Sequence, residues 1–395
     1  MINKNAKVYV AGHTGLVGSA IVRELKRQGY NNLVLKTHFE LDLTKQEHVN
    51  AFFTLEKPEY VFHPAGRVGG IGANSAYIAD FMYENMMIGM NVINAAWRSG
   101  VKKLLFLGSS CIYPRMAKQP ITEDELLSGP LESTNEGYAL SKISCLKYCE
   151  YLNRQYGTNF ISAMPTNLYG PGDNYEPTRS HVLPALIRRF HEAKIAGANE
   201  VTCWGDGSPL REFLYVDDLA ELCVFLMERY DSPAYLKYCR EHNITLSDEH
   251  GTNNCADTDK HRGADNGAVN MAADCADTPI KTANISSGKP ENGSGCETIN
   301  AGTGKELTIR ELTSLVAKVV GYTGQINWDT SKPNGTPRKL LDVSKATALG
   351  WTYKTELEEG IALAYKDFLS RYGNGSAESG VSGVGKDSAN SGDQP

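Results

Sequence analysis

Apolar residues along this chain change their spacing in a regular order. A short alternating run at 7–11 passes through a glycine cluster into 19–28, which has a helical pattern. That reads as a strand followed by an amphipathic helix. The pair repeats: a strand at 33–36 and a helix at 45–56, a strand at 60–63 and a helix at 85–97. A strand at 104–107, a helix at 138–156 and a strand at 160–164 follow. Apolar strands alternating with helices predict an α/β, Rossmann-type doubly wound parallel sheet, covered on both faces. Beyond Gly170 the alternation loosens. Helices at 181–190, from 216 and at 309–320 predict a smaller α/β C-terminal domain. The expected division is a first domain over 1–170, with a strand and helix returning around 211–230, and a second over 171–372.

Two stretches break the pattern. Residues 231–296 are rich in Asn, Asp, Gly, Ser and Thr, and Cys-Ala-Asp-Thr occurs twice, at Cys255 and Cys275. So little apolar material predicts a disordered insertion. The Gly/Ser-rich tail over 373–395 predicts disorder as well. Elsewhere the composition is that of an ordinary soluble protein, with 41% hydrophobic and 22% charged residues. A net charge of −6 argues against general nucleic-acid binding. No apolar run reaches the ~18 residues of a membrane span. The N-terminus, with Lys4 and Lys7 around a short apolar run, lacks a signal peptide's long apolar core. Nine scattered cysteines without CxxC spacing suggest reduced thiols, no metal and a cytoplasmic location.

The candidate chemistry sits where strands end. Gly12-His13-Thr14-Gly15-Leu16-Val17-Gly18 is GxxGxxG between a strand and a helix. The glycines permit a tight turn and close approach to a pyrophosphate, which the helix N-terminus attracts. Lys36-Thr37-His38 ends the second strand, where an NAD site commonly has an acid. A basic pair there suits a 2′-phosphate or is an ordinary solvated strand end. Asp42 follows in reach of an adenine. Arg67-Val68-Gly69-Gly70-Ile71-Gly72 is a loop able to line a ligand, and Asn85 is a buried polar group or a cofactor contact.

Gly108-Ser109-Ser110-Cys111-Ile112-Tyr113-Pro114 places hydroxyls and a thiol beyond the fourth strand. Tyr138 and Lys142, four apart, share one helix face. An ammonium beside a phenol favours phenolate, which makes Tyr138 a candidate proton donor or acceptor at an alcohol or ketone oxygen while a hydride moves at carbon. Further on, Arg188-Arg189, Trp204, Arg211 and the basic loop from Ser331 to Lys339 form either solvated faces or a pocket for an anionic nucleotide.

GxxGxxG, Ser-Ser-Cys after the fourth strand and YxxxK together resemble the extended short-chain dehydrogenase/reductases that act on nucleotide sugars. The chain is most similar to the branch acting on GDP-4-keto-6-deoxy-D-mannose. The likeness runs from Lys7 to about Tyr230 and from Thr298 to about Leu369, outside the insertion and tail. It implies C3/C5 epimerisation and NADPH-dependent reduction at C4 to GDP-L-fucose, in a homodimer. The first domain would then bind NADP(H) and the second the GDP-sugar.

By that resemblance Tyr138 donates a proton at the C4 oxygen, Ser109 orients that oxygen, and Lys142 holds the cofactor ribose. Cys111 and His181 serve as base and acid in epimerisation. Cofactor contacts would come from Gly12 to Gly18, from His38-Phe39-Glu40-Leu41-Asp42-Leu43, from Leu107-Gly108-Ser109-Ser110, from Lys142, from Pro165-Thr166-Asn167-Leu168 and from His181. Substrate contacts would come from Arg189, Trp204, Arg211 and Asn334. The family often has arginine at the positions of Thr14 and His38 and aspartate at that of Asn334. A 4-epimerase or 4,6-dehydratase of the same fold is the nearest rival, but a dehydratase is expected to carry acids where Ser109-Ser110-Cys111 stands. A non-catalytic nucleotide-binding scaffold is the other, and the intact set Ser109, Cys111, Tyr138 and Lys142 argues against it.

Overall fold

The computed structural model describes residues 2–177, 180–244, 298–332 and 334–373. The glycine turn lies between β1 (Val8–Val10) and α1 (Leu16–Arg27). Next come β2 (Leu33–Val34), α2 (Gln46–Glu56), β3 (Tyr60–His63), the short α3 (Ile71–Ala76) and α4 (Ile78–Arg98). β4 (Lys103–Leu107), α5 (Glu136–Tyr156), β5 (Phe160–Pro165) and β6 (Asn167–Tyr169) follow. The later elements are α6 (Val182–Ile195), β7 (Glu200–Trp204), β8 (Leu210–Arg211), β9 (Phe213–Tyr215), α7 (Val216–Arg229) and α8 (Pro233–Glu241). After them come β10 (Thr298–Ala301), β11 (Leu307–Thr308), α9 (Ile309–Val320), β12 (Gln325–Asp329), β13 (Arg338–Lys339), α10 (Ser344–Ala348) and α11 (Leu357–Tyr372).

Six strands form one parallel sheet in the order β2-β1-β3-β4-β5-β10. Their central residues are buried on both faces, which is why the strands read as continuous apolar runs. α1 and α7 pack on one face with Val8, Phe62, Leu105 and Ile161. α2, α4 and α5 cover the other with Tyr9, Val61, Phe106 and Phe160. The strand order changes direction between β1 and β3, so a crevice opens beyond their C-terminal ends. A second core gathers α6, α9 and α11 around Phe190, Val316 and Phe368.

Two expectations about the second half are corrected. The strand expected to return near 211 does not enter the main sheet. β8 pairs with β11 and β13, and β9 pairs with β6. The sixth strand is β10, whose four residues are all buried against β5. The polar stretch from 231 begins as a helix, not as disorder. Ser232 caps α8 by accepting from the Tyr235 N–H, Pro233 opens it, and Tyr235 and Cys239 are buried. These few apolar residues dock α8 on α5. The rest of the expected insertion, 245–296, and the tail 374–395 lie outside the described residues.

Candidate functional site

Gly12, in the turn after β1, has φ +74°. A Cβ there would stand 2.9 Å from the Ala65 Cα, beyond β3. Gly18 is tighter, because its Cβ would stand 2.1 Å from the Gly12 carbonyl oxygen. Both positions need glycine so that α1 can start against the turn. Gly15 caps α1 without a side-chain hydrogen bond. The helix N-terminus therefore keeps N–H donors for a ligand. The buried Nδ1 of His13 has no partner among the described residues. This cradle fits the diphosphate of a dinucleotide.

At the end of β2 the turn is built by Glu40, whose carboxylate accepts from the Thr37 N–H and hydroxyl at 2.8 and 2.7 Å. The turn leaves His38 and Phe39 exposed. Asp42 is held below the usual carboxylate range chiefly by the Thr44 hydroxyl. Lys36 is half-buried beside the turn. If this pair selects the 2′-phosphate, replacing both Lys36 and His38 by alanine will lower the kcat/KM ratio for NADPH over NADH. An unchanged ratio removes the role.

Asn85 proves to be a satisfied core group. It accepts from the Arg67 N–H at 3.0 Å and donates to the Arg67 and Phe81 carbonyls. It thereby fixes the loop after β3. His63, at the end of that strand, is fully buried, and neither ring nitrogen has a partner among the described residues. Burial, aided by the charge of Lys142, pushes its pKa down to about 3 and keeps it neutral.

The catalytic candidates come together beyond β4. Ser109 caps a short 3-10 turn, Ser110–Ile112, by accepting from the Cys111 N–H at 3.2 Å. Both Ser109 and Cys111 lie close enough to the Tyr138 phenol to act on its ionisation. Lys142 is 5% exposed and donates to the Leu107 carbonyl at 2.9 Å. Its Nζ stands 5.8 Å from the centroid of the Tyr138 ring. The structure reverses one expectation here. Burial raises the pKa of the phenol, since removing water penalises phenolate more than Ser109 relieves it. Tyr138 thus rests protonated.

Burial pushes Lys142 down to about 8 from its usual 10.5. Between those two values the unfolded chain holds the proton and the folded chain does not. Stability of the cofactor-free protein therefore rises with pH over that window. Lys142→Met has no such titration, so its stability relative to wild type should fall by up to about 3 kcal/mol between pH 7 and 10. Urea unfolding at several pH values measures this, and a constant difference contradicts it.

The other predicted residues are more spread out. His181 caps α6 and keeps an exposed face, while crowding by the protein lowers its pKa. Among the described residues it makes no hydrogen bond to Cys111 or Tyr138. Thr166 and Asn167 both donate to the Glu212 carbonyl, which ties the start of β6 to the link between β8 and β9. Arg189 donates to the Thr202 carbonyl and lies beside Cys203. Trp204 is 64% exposed with Lys332 over its ring at 5.8 Å. Asn334 accepts from the Asp206 N–H and so pins the turn after Trp204. Arg211, packed near Cys111, donates to the Leu210 carbonyl.

Two residues outside the predicted set help shape the site. The fully buried Glu212 carboxylate accepts from the N–H groups of Thr303, Gly304 and Leu341. Lys339 points its Nζ at the Cys111 sulfur, 3.7 Å away. The basic loop 331–339 was the only sequence signal for Lys339, and Glu212 left none.

The model of the NAD dependent epimerase/dehydratase family matches residues 8–238. GDP-L-fucose synthase 1 from Arabidopsis thaliana is 50% identical over 374 residues, covering 95% of this chain and 96% of its own. GDP-L-fucose synthase from Escherichia coli is 46% identical over 363 residues, 92% of this chain and 96% of its own. A solved GDP-mannoheptose C4 reductase from Campylobacter jejuni, with NADP bound, is 35% identical with a TM-score of 0.71. It covers 93% of this chain and 99% of its own. The chain belongs to the NAD dependent epimerase/dehydratase family and, within it, to the GDP-L-fucose synthases.

Proposed function

We propose that the chain converts GDP-4-keto-6-deoxy-D-mannose to GDP-L-fucose, with epimerisation at C3 and C5 and then NADPH-dependent reduction at C4. The observation that carries this is a thiol, Cys111, grouped with Ser109, Tyr138 and Lys142 at one end of the sheet. Relatives named for this activity span nearly the whole chain. The cradle of Gly12 to Gly18 and the turn at Lys36 to Asp42 would hold NADP(H), which supplies the hydride when bound.

The chain's own groups divide the rest. The C4 ketone acidifies the hydrogens at both neighbouring carbons. Cys111, as thiolate, removes one of them as a proton, and the C–H electron pair moves into the C4 carbonyl. His181 returns a proton to the opposite face. Ser109 then steadies the C4 oxygen, and Tyr138 protonates it as hydride arrives at C4. Lys142 binds the cofactor ribose and keeps positive charge beneath the phenol. Arg189, Trp204, Arg211 and Asn334 would take the GDP moiety. Incubation with the keto sugar and NADPH, followed by identification of the product sugar, tests the whole reading. A product that keeps the mannose configuration at C3 and C5 defeats it.

The assembly is a homodimer through α4 and α5 in this reading. These helices pack together and leave Tyr83 65% and Tyr151 54% exposed, with Met82 and Leu140 nearby. Sedimentation at micromolar concentration should give a dimer, and Tyr151→Lys should weaken it. A monomeric wild type excludes this. No described helix is long and apolar enough to cross a membrane. Six described cysteines are free, which suits a cytoplasmic location.

A further inference from the structure

The backbone around Lys339 is stitched to the loop that follows Cys111. Gln119 donates its side-chain amide to the Arg338 carbonyl at 3.4 Å and accepts from the Leu340 N–H at 2.9 Å. The Ile121 N–H donates to the Leu340 carbonyl, and the Asp342 N–H donates to the Ile121 carbonyl, each at 2.8 Å. Lys339 is thus fixed from both sides. In the β8–β13 pair it also stands opposite Arg211.

From this fixed strand the half-buried Lys339 reaches the Cys111 sulfur at 3.7 Å, a hydrogen-bonding distance for sulfur. Arg211 on β8 is a second cation near Cys111, and it donates to the Leu210 carbonyl. Glu132 pairs with Arg115 and accepts from the Thr336 hydroxyl, each at 3.3 Å, and Arg338 pairs with Glu306 at 2.6 Å. No carboxylate pairs with Lys339 among the described residues, and its ammonium donates to the sulfur.

We propose that Lys339 is a positioning residue for epimerisation, holding its ammonium beside the Cys111 sulfur so that the thiolate is stabilised when it forms. The inference rests on the reading of Cys111 as the carbon base. Only the thiolate can take a proton from carbon, and a neighbouring cation stabilises that form. Cys111 first loses its proton to water, and Lys339 keeps its own. The thiolate then takes the carbon-bound hydrogen as a proton and becomes a thiol, with the electron pair left in the enolate. Lys339 touches neither the sugar carbon nor the hydride path in this scheme.

The test is alkylation of the substrate-free enzyme by iodoacetamide at pH 7, followed on the Cys111 peptide by mass spectrometry. Loss of the ammonium in Lys339→Met should slow Cys111 alkylation by roughly tenfold or more. Lys339→Arg should restore much of the rate, which a packing role would not explain. Folding is checked by NADPH binding, and Lys339→Gln replaces the methionine variant if the latter does not fold. Alkylation at the wild-type rate in the neutral variants overturns the proposal. So does a loss of GDP affinity with alkylation unchanged, which assigns Lys339 to the diphosphate instead. Failure of the underlying reading looks different: Cys111→Ser would still exchange the sugar's C3 and C5 hydrogens with solvent, whatever the alkylation rates.

Discussion

Tyr138→Phe should lose the reduction while keeping the epimerisation. The phenol lies beside Ser109 and Lys142, and burial keeps it protonated. Removing it leaves the ring in place but takes away the proton for the C4 oxygen. Loss of a positioned general acid is worth roughly 10²–10⁴-fold in rate. Cys111 and His181 remain, so the mutant should still exchange the C3 and C5 hydrogens. Cys111→Ser should do the opposite. A serine hydroxyl is a far weaker proton acceptor than a thiolate, and the change barely alters the shape. That variant keeps Tyr138 and Lys142 and should reduce the unepimerised ketone to a 6-deoxy-mannose or 6-deoxy-talose product. Deuterium wash-in from heavy water, with oxidised cofactor bound and NMR as readout, separates the two. Exchange at the wild-type rate in Cys111→Ser would show that His181 or another group is the base.

Gly18→Ala is expected to have the second large effect. Its methyl group would meet the Gly12 carbonyl at 2.1 Å, a distance at which backbone must move. Gly12 cannot retreat easily, because it already lies against Ala65. The first turn of α1 has to shift away from the cradle, at a cost of about 1–3 kcal/mol for an overpacked site. The N–H groups aimed at the diphosphate shift with it. NADPH affinity should fall by roughly tenfold or more, since each factor of ten needs only about 1.4 kcal/mol. Calorimetric titration with NADPH measures this. Wild-type affinity in Gly18→Ala would mean that this turn is not the diphosphate cradle.

What was legible in the sequence was local. The GxxGxxG turn and the Tyr138–Lys142 pair depend on spacing within one strand–helix junction or one helix, and both appear where expected. The parallel sheet was readable because its strands are buried on both faces. Elements whose placement depends on distant partners were not. Nothing in Thr298 to Ala301 says that it joins β5 and not the second domain. α8 hid in a polar stretch because a docked helix needs only a few buried residues. The state of Tyr138 was misjudged for a related reason: a four-residue spacing reveals a neighbouring ammonium but not how much water is removed. The approach of Lys339 to Cys111 joins positions far apart in the chain, and only the folded loops create it.

The late arrival of β10 has a consequence for synthesis. β5 leaves the ribosome with one side paired to β4 and the other open, and its partner follows only after the whole span from β6 to α8 and the segment beyond. At about 5–20 residues per second this wait lasts roughly ten seconds. Through that time a buried-type edge strand offers unpaired N–H and C=O groups to any other nascent chain. Yield during translation should therefore respond to chaperone supply and to the length of the 245–297 segment, even where the finished enzyme's stability does not.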